Sequence, residues 1–324
     1  MFLAIVLFLV GFALLIKGGD WFVDGAVGIA HRFNLPEILI GATVVSIGTT
    51  LPEVMVSAQA ALQGNSGISY GNDIGSIICN TSLIAAITIA VRPAKVKKST
   101  IILPVAAFFI AALFYCGIAY TTGQFQRWQG LVLLAMFAAY MVISVRKMTA
   151  SPSEESASEP EEEKKEESTL MKEIIMLVAG AAAIAIGARL LVDNGTIIAA
   201  ALGVPDSVIG LTMVALGTSL PELITAITSL RKGIAAMSLG NIIGANLFNL
   251  VLVSGTAITI SPFAIPSEKM IFGMNSSLLV DIPVMLGVMM ILCFPAVFKE
   301  KLYKWQGYLL LGIYVLFTIY QFVL

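Results

Sequence analysis

One long motif occurs twice in this chain of 324 residues, in the same order and at one spacing. GATVVSIGTTLPE (Gly41 to Glu53) returns as GLTMVALGTSLPE (Gly210 to Glu222). GNDIGSIICN (Gly71 to Asn80) returns as GNIIGANLFN (Gly240 to Asn249). Both pairs lie 169 residues apart, so one register covers the whole block. Whatever fold the first half adopts, the second half must be able to adopt too. Each copy sets a glutamate, hydroxyls and an amide in an otherwise apolar segment. Ionisable groups at membrane depth are costly and mark function. Matching sets in two halves are the pattern of transporters built from repeats.

The surroundings of the motif decide that it lies in a membrane. Hydrophobic residues make up 58% of the chain and charged ones 12%. A soluble domain is about half apolar and a quarter charged. A net charge of −1 offers nothing to nucleic acid. Cys79, Cys116 and Cys293 sit in apolar runs and read as buried thiols, not as a disulfide or metal framework. The opening MFLAIVLFLVGFALLIKGG has no basic leader and no clear small-residue cleavage site. It reads as a first transmembrane helix and not as a signal peptide.

A bilayer needs about 20 apolar residues per helix. Ten such runs are expected, near 2–30, 36–62, 70–91, 100–121, 127–146, 170–199, 205–230, 235–261, 275–297 and 303–324. The expected fold is therefore all-α, with five helices in 1–147, an acidic cytoplasmic linker over 148–169, and five helices in 170–324. The linker core, SPSEESASEPEEEKKEES, lacks hydrophobes and any EF-hand spacing, and reads as solvated chain. With the N-terminus outside, the inside loops carry Arg32, Arg92, Lys95, Lys97, Lys98, Arg146, Lys147, Lys164, Lys165, Lys172, Arg231, Lys232, Lys299, Lys301 and Lys304. The outside loops then carry Arg127 and Lys269 alone. Lysine and arginine favour the cytoplasmic side, so both termini are expected outside. Five helices is an odd number. The halves must then be inverted, with the site near the midplane where they meet.

Residues four apart share a helix face. Thr49 pairs with Glu53, Thr218 with Glu222, Ser76 with Asn80 and Ala245 with Asn249. Thr50 and Ser219 add hydroxyls, and Pro52 and Pro221 free backbone carbonyls near Ser46 and Ala215. All these groups are hard oxygens, without histidine or cysteine, which favours Ca²⁺, Mg²⁺ or alkali ions. Mg²⁺ keeps its waters, whereas Ca²⁺ takes 6–8 flexible oxygens and suits this cage better. The glutamates supply −2, which one Ca²⁺ or two Na⁺ neutralise. An empty cage leaves two carboxylates together in low dielectric, a state disfavoured in an occluded intermediate. Crossing only when loaded is the physical basis of exchange.

These paired G-(T/S)-(T/S)-L-P-E and G-N-x-x-G-(S/A) blocks resemble those of the cation/Ca²⁺ antiporter superfamily, above all its prokaryotic sodium/calcium exchangers. The resemblance covers the whole chain except the acidic linker. It implies Ca²⁺ ligands at Glu53, Glu222, Thr49 and Thr218. It implies flanking Na⁺ sites at Thr50, Ser76, Asn80, Ser219 and Asn249, with carbonyls of Ser46 and Ala215. It further implies helices 1 and 6 sliding to switch access, electrogenic exchange, a monomeric functional unit in a prokaryotic plasma membrane, and no cofactor. The chain departs from the family in two places. Asn249, where relatives can carry aspartate, argues against K⁺ co-transport. Ala245 lacks a hydroxyl expected at one Na⁺ site.

Plainer readings apply elsewhere. A serine or threonine in a membrane helix usually bonds its own i−4 carbonyl. The glycines at 41, 48, 71, 75, 210, 217, 240 and 244 read as close helix packing. Asp24 and Asp193 read as capping or ion-paired residues, and His31 as solvated. Asp73 has no acidic counterpart, since Ile242 stands at its offset. It reads as a helix-start or solvent-facing carboxylate. Two other mechanisms use the same residues. A H⁺/Ca²⁺ antiporter would protonate the two glutamates, although protons need none of the neutral ligands. An intramembrane hydrolase would pair the acids, but no nucleophile–base set accompanies them, and no enzymatic step is expected. A channel would want ligand rings about an oligomeric axis.

Overall fold

The computed structural model describes residues 1–33, 35–64, 66–93, 95–150, 169–201, 215–266, 270–271 and 273–323. The helices are α1 (Phe2–Arg32), α2 (Glu37–Leu62), α3 (Ser66–Val91), α4 (Lys98–Thr121), α5 (Arg127–Ala150), α6 (Leu170–Ala201), α7 (Leu220–Arg231), α8 (Ala235–Ile260), α9 (Ser277–Lys299) and α10 (Lys304–Val323). A short turn, Ala215–Thr218, precedes α7. Strands β1 (Met270–Ile271) and β2 (Met274–Asn275) form a small antiparallel hairpin before α9. Among the described residues, eight of the helices are long and apolar enough to span a membrane. The protein is a multi-pass membrane protein. The expected start of the seventh span, from 205, and the acidic linker from Ser151 to Ser168 lie outside the described residues, while α5 runs on to Ala150.

Local chemistry sets the ends. Pro36, extended at ψ 127°, starts α2 by fixing φ without needing a donor. Gly64, at φ 72°, lets the chain leave it. α9 carries Pro283 just after its opening π-turn and ends on Glu300 in the left-handed region. Among the described residues, four helices contain a π-turn: Gly41–Val45 in α2, Asn80–Ala85 in α3, Asn249–Val253 in α8 and Ser277–Asp281 in α9. Those of α3 and α8 begin on Asn80 and Asn249, equivalent residues of the repeat. Such widened turns gather at functional positions.

α8 is the central helix. Of its apolar span 83% is buried, against 28% for α1 and for α6 at the periphery. Outward faces are apolar, as at Met55, Leu113 and Phe298, each more than 70% exposed. Polar side chains such as Glu53, Asp73, Asn80, Glu222 and Asn249 are buried instead. This inside-out distribution suits a lipid surround.

The contacts fix relative helix directions. α1 lies antiparallel to α6: Gly11 meets Gly187, Gly18 meets Ala183, and Gly25 meets Leu177. A β-carbon at Gly25 would come within 2.5 Å of the Leu177 nitrogen, so only glycine allows this approach. α2 runs parallel to α8, with Gly41 against Met237 and Gly244 against Ala42 and Ser46. α3 runs antiparallel to α8, with Asn246 Nδ2 donating to Thr81 Oγ1 at 2.7 Å and Ser254 reaching Asp73. At one face Arg32 pairs with Glu173 at 2.8 Å and Lys232 with Asp24 at 2.6 Å. There Val96 also donates to the Glu300 carbonyl at 2.9 Å. At the other face Phe125 donates to the Phe263 carbonyl at 2.8 Å.

Candidate cation site

The repeated motif converges on the middle of the bundle. Glu53 on α2 and Glu222 on the first turn of α7 are both fully buried. They lie near enough to repel one another when charged. Among the described residues, no carboxylate oxygen of either accepts a hydrogen bond of full geometry from another residue. Thr49 approaches Glu222 from α2. Thr50 Oγ1, Ser219 Oγ and both amide atoms of Asn80 and Asn249 are buried and likewise unpaired among the described residues. Buried polar atoms are nearly always satisfied, because each orphan costs about 1–3 kcal/mol. These unpaired groups belong to the same repeated motif as the two buried carboxylates, and their donor set is one that a hard cation could use.

The other hydroxyls of these helices show what satisfaction looks like. Thr43, Thr81, Thr88, Thr225 and Thr259 each donate to the carbonyl four residues back, at 2.7–3.0 Å. Thr49 breaks that pattern. It reaches the Ser46 carbonyl only at 3.5 Å and Asn241 Oδ1 of α8 at 3.3 Å. Ser46 Oγ lies within reach of the Gly41 carbonyl at 2.8 Å and the Asn241 carbonyl at 3.0 Å. Its single proton serves one at a time. Ser76 is buried and Thr218 half-buried. Ala245 is buried as well, so the missing hydroxyl leaves a methyl facing the core. The side chain of Ala215 lies outside the described residues, and so does residue 210.

α2 carries Pro52 within a continuous helix. In the second copy the chain breaks at Ser219, with φ −87° and ψ 3°, and α7 restarts with Pro221 in its first turn. The two glutamates therefore sit on differently built turns.

Two participants escaped the sequence reading. Asn241 spans the gap from α8 to Thr49 and Ser46 of α2. Asn72, its equivalent, donates to the Glu53 carbonyl at 3.2 Å and to Ser57 Oγ at 2.9 Å. Both asparagines belong to the repeated Gly-Asn, and that repetition at 169 residues was the available signal. Asn241→Ala should weaken cation affinity about tenfold by releasing Thr49, checked by calorimetric Ca²⁺ titration. Asp73 requires a correction. It is fully buried and not solvent-facing, with each carboxylate oxygen held by a serine hydroxyl. Asp24 and Asp193 are ion-paired, to Lys232 and Arg189. Close packing holds for Gly41, Gly48, Gly240 and Gly244, whereas Gly71 and Gly75 meet nothing within 4 Å among the described residues.

Comparison with known proteins agrees with this geometry. The sodium/calcium exchanger protein family model matches residues 3–146 and 172–323, on both sides of the acidic stretch. The chain belongs to the sodium/calcium exchanger family. A membrane protein of Methanocaldococcus jannaschii is 33% identical over 95% of both chains. The sodium/calcium exchanger MaX1 of Methanosarcina acetivorans is 31% identical over 98% of both. Among solved structures, the sodium-calcium exchanger NCX_Mj soaked with Na⁺ and Sr²⁺ superposes with a TM-score of 0.80 at 31% identity, covering 97% of each chain. The match joins the exchanger sequence pattern to an exchanger fold over nearly the full length.

Proposed function

We propose that this chain exchanges Na⁺ for Ca²⁺ across a prokaryotic plasma membrane by alternating access. The observation that carries this is the pair of buried, mutually close glutamates, accompanied on the same repeated motif by unpaired hydroxyl and amide groups. Ca²⁺ binds Glu53 and Glu222 with Thr49 and Thr218. Na⁺ takes flanking positions made by Thr50, Ser76, Asn80, Ser219 and Asn249 and the carbonyls of Ser46 and Ala215. The amide at Asn249 adds no charge, which fits exchange without K⁺. The ten helices form two inverted halves, 1–147 and 170–324, joined by the acidic linker, with both termini outside. Antiparallel packing of α1 on α6 and the parallel run of α2 beside α8 support that inversion.

The cage carries −2 and needs an equal cation charge to cross a low-dielectric barrier. One Ca²⁺ or two Na⁺ suffice, and a third Na⁺ would make the cycle electrogenic. Closely packed α1 and α6 form the moving pair. A crevice lined by Phe22, Gly48, Thr49, Pro52, Ala181, Ile184, Ala185 and Pro221 lies where that pair meets the cage.

Purified protein in liposomes, loaded with Na⁺ and diluted into Na⁺-free medium, should take up ⁴⁵Ca²⁺. Uptake driven by a proton gradient alone would overturn the assignment of Na⁺ as the coupling ion. Ala245→Ser should change the Na⁺ concentration for half-maximal uptake more than Ca²⁺ affinity. An unaltered Na⁺ response would show that the hydroxyl is irrelevant at that position.

A further inference from the structure

Asp73 is a third carboxylate in the bundle that the exchange cage does not use. It is fully buried, at the eighth residue of α3. Ser57 Oγ of α2 donates to its Oδ1 at 2.7 Å, and Ser254 Oγ of α8 donates to its Oδ2 at 2.8 Å. Ser57 in turn accepts from Asn72, which also holds the Glu53 carbonyl. The array thus runs from Asp73 to the turn that carries Glu53.

The other half shows that packing does not need this array. At the same offset of 169, Asp73 becomes Ile242, Ser57 becomes Ala226, and Ser254 corresponds to Ala85. All three are buried. The polar triad, drawn from both halves, therefore stands where its repeat-equivalent set is wholly apolar.

A buried carboxylate in such a place must be neutralised, because two hydroxyl donors do not offset the loss of water. α2, α3 and α8 contain no lysine, arginine or histidine. The serine oxygens stand at ordinary O–H···O distances, which leave no room for a metal ion between them and the carboxylate. A proton fits. The groups facing Asp73 from its neighbours are Glu53 on α2 and Tyr115 on α4, whose buried hydroxyl lies beside Ser254. α8 offers only neutral side chains, and Asp281 of α9 faces Tyr70 instead.

We propose that Asp73 is a proton-binding site, distinct from the two glutamates, whose proton leaves as a cation loads at Glu53. The proposal rests on the reading of the cage as a cation site. The step is a plain dissociation, carboxylic acid to carboxylate with H⁺ released to water as the access path opens. Deprotonated Asp73 adds negative charge near Glu53 and so strengthens cation binding. Reciprocally, cation binding must favour release of the proton.

Two measurements on the purified full-length protein decide it. Infrared difference spectra across pH should show the carbonyl stretch of a buried carboxylic acid, absent in Asp73→Asn. Calorimetric Ca²⁺ titration should show wild-type affinity rising about tenfold from acid to alkaline pH, with proton release. Asp73→Asn should hold the weak, acid-side affinity throughout that range. Ser254→Ala removes a donor to the charged form, so it should keep the infrared band and move its disappearance to higher pH. An unchanged band and an unchanged affinity profile in Asp73→Asn would overturn the proposal. Absence of Ca²⁺ binding in the wild type at every pH would sink the cage reading, and the infrared band would still decide Asp73.

Discussion

Glu53→Gln and Glu222→Gln should each abolish Na⁺-driven Ca²⁺ uptake, with Ca²⁺ affinity falling at least about a hundredfold. Truncating one member of a buried charge cluster typically costs about 2–5 kcal/mol. The same variants should be more heat-stable than the wild type in ion-free buffer. Both carboxylates are fully buried and close, and no cationic side chain among the described residues is paired with either, so together they carry a repulsion that a neutral amide removes. The signature is a crossover. Added Ca²⁺ should raise the melting temperature of the wild type and leave the variants where they were. A residue that merely props the bundle would lose stability with and without the ion. Robust flux in either variant would remove the central claim.

Gly240→Val should be the most damaging single change away from the glutamates. A β-carbon at 240 would run into the carbonyl of Ile38, a backbone atom that cannot swing aside. α2 and α8 would be forced apart where Asn241 reaches across to Thr49 at 3.3 Å. Overpacking of a well-filled core costs about 1–3 kcal/mol, and the upper end applies where backbone is the obstacle. Transport should be lost along with thermal stability. Gly117→Ala provides the contrast, because a β-carbon there meets nothing within 4 Å, and its activity and melting temperature should be unchanged. Equal damage from both would refute the packing argument.

Much of this architecture was legible beforehand, and for identifiable reasons. The apolar runs located α1 to α6 and α8 to α10 to within a few residues, because a span must satisfy its own backbone in lipid. α3 begins at Ser66, earlier than the run starting near 70, since polar Ser66 and Ser69 extend a helix that hydropathy alone ends sooner. The candidate site was legible because duplication repeats Glu53 as Glu222, Thr49 as Thr218 and Asn80 as Asn249 at one offset, which lifts them above chance. The π-turns at Asn80 and Asn249 were not legible, as no residue type encodes an extra residue per turn.

The sequence by itself determined the solvent this protein lives in, most of its spans, its duplicated plan and the residue types of the proposed cage. Those follow from composition, hydropathy and spacing, which are local properties of the chain. Only the tertiary structure decided who faces whom. Asn241 bonds across 192 residues to Thr49, and Ser254 across 181 residues to Asp73. Such pairs depend on the depth and rotation at which separate helices pack. Helical periodicity fixes the face a side chain occupies but not the partner opposite it. Asp73 looked like a surface carboxylate for that reason, although packing encloses it between two helices.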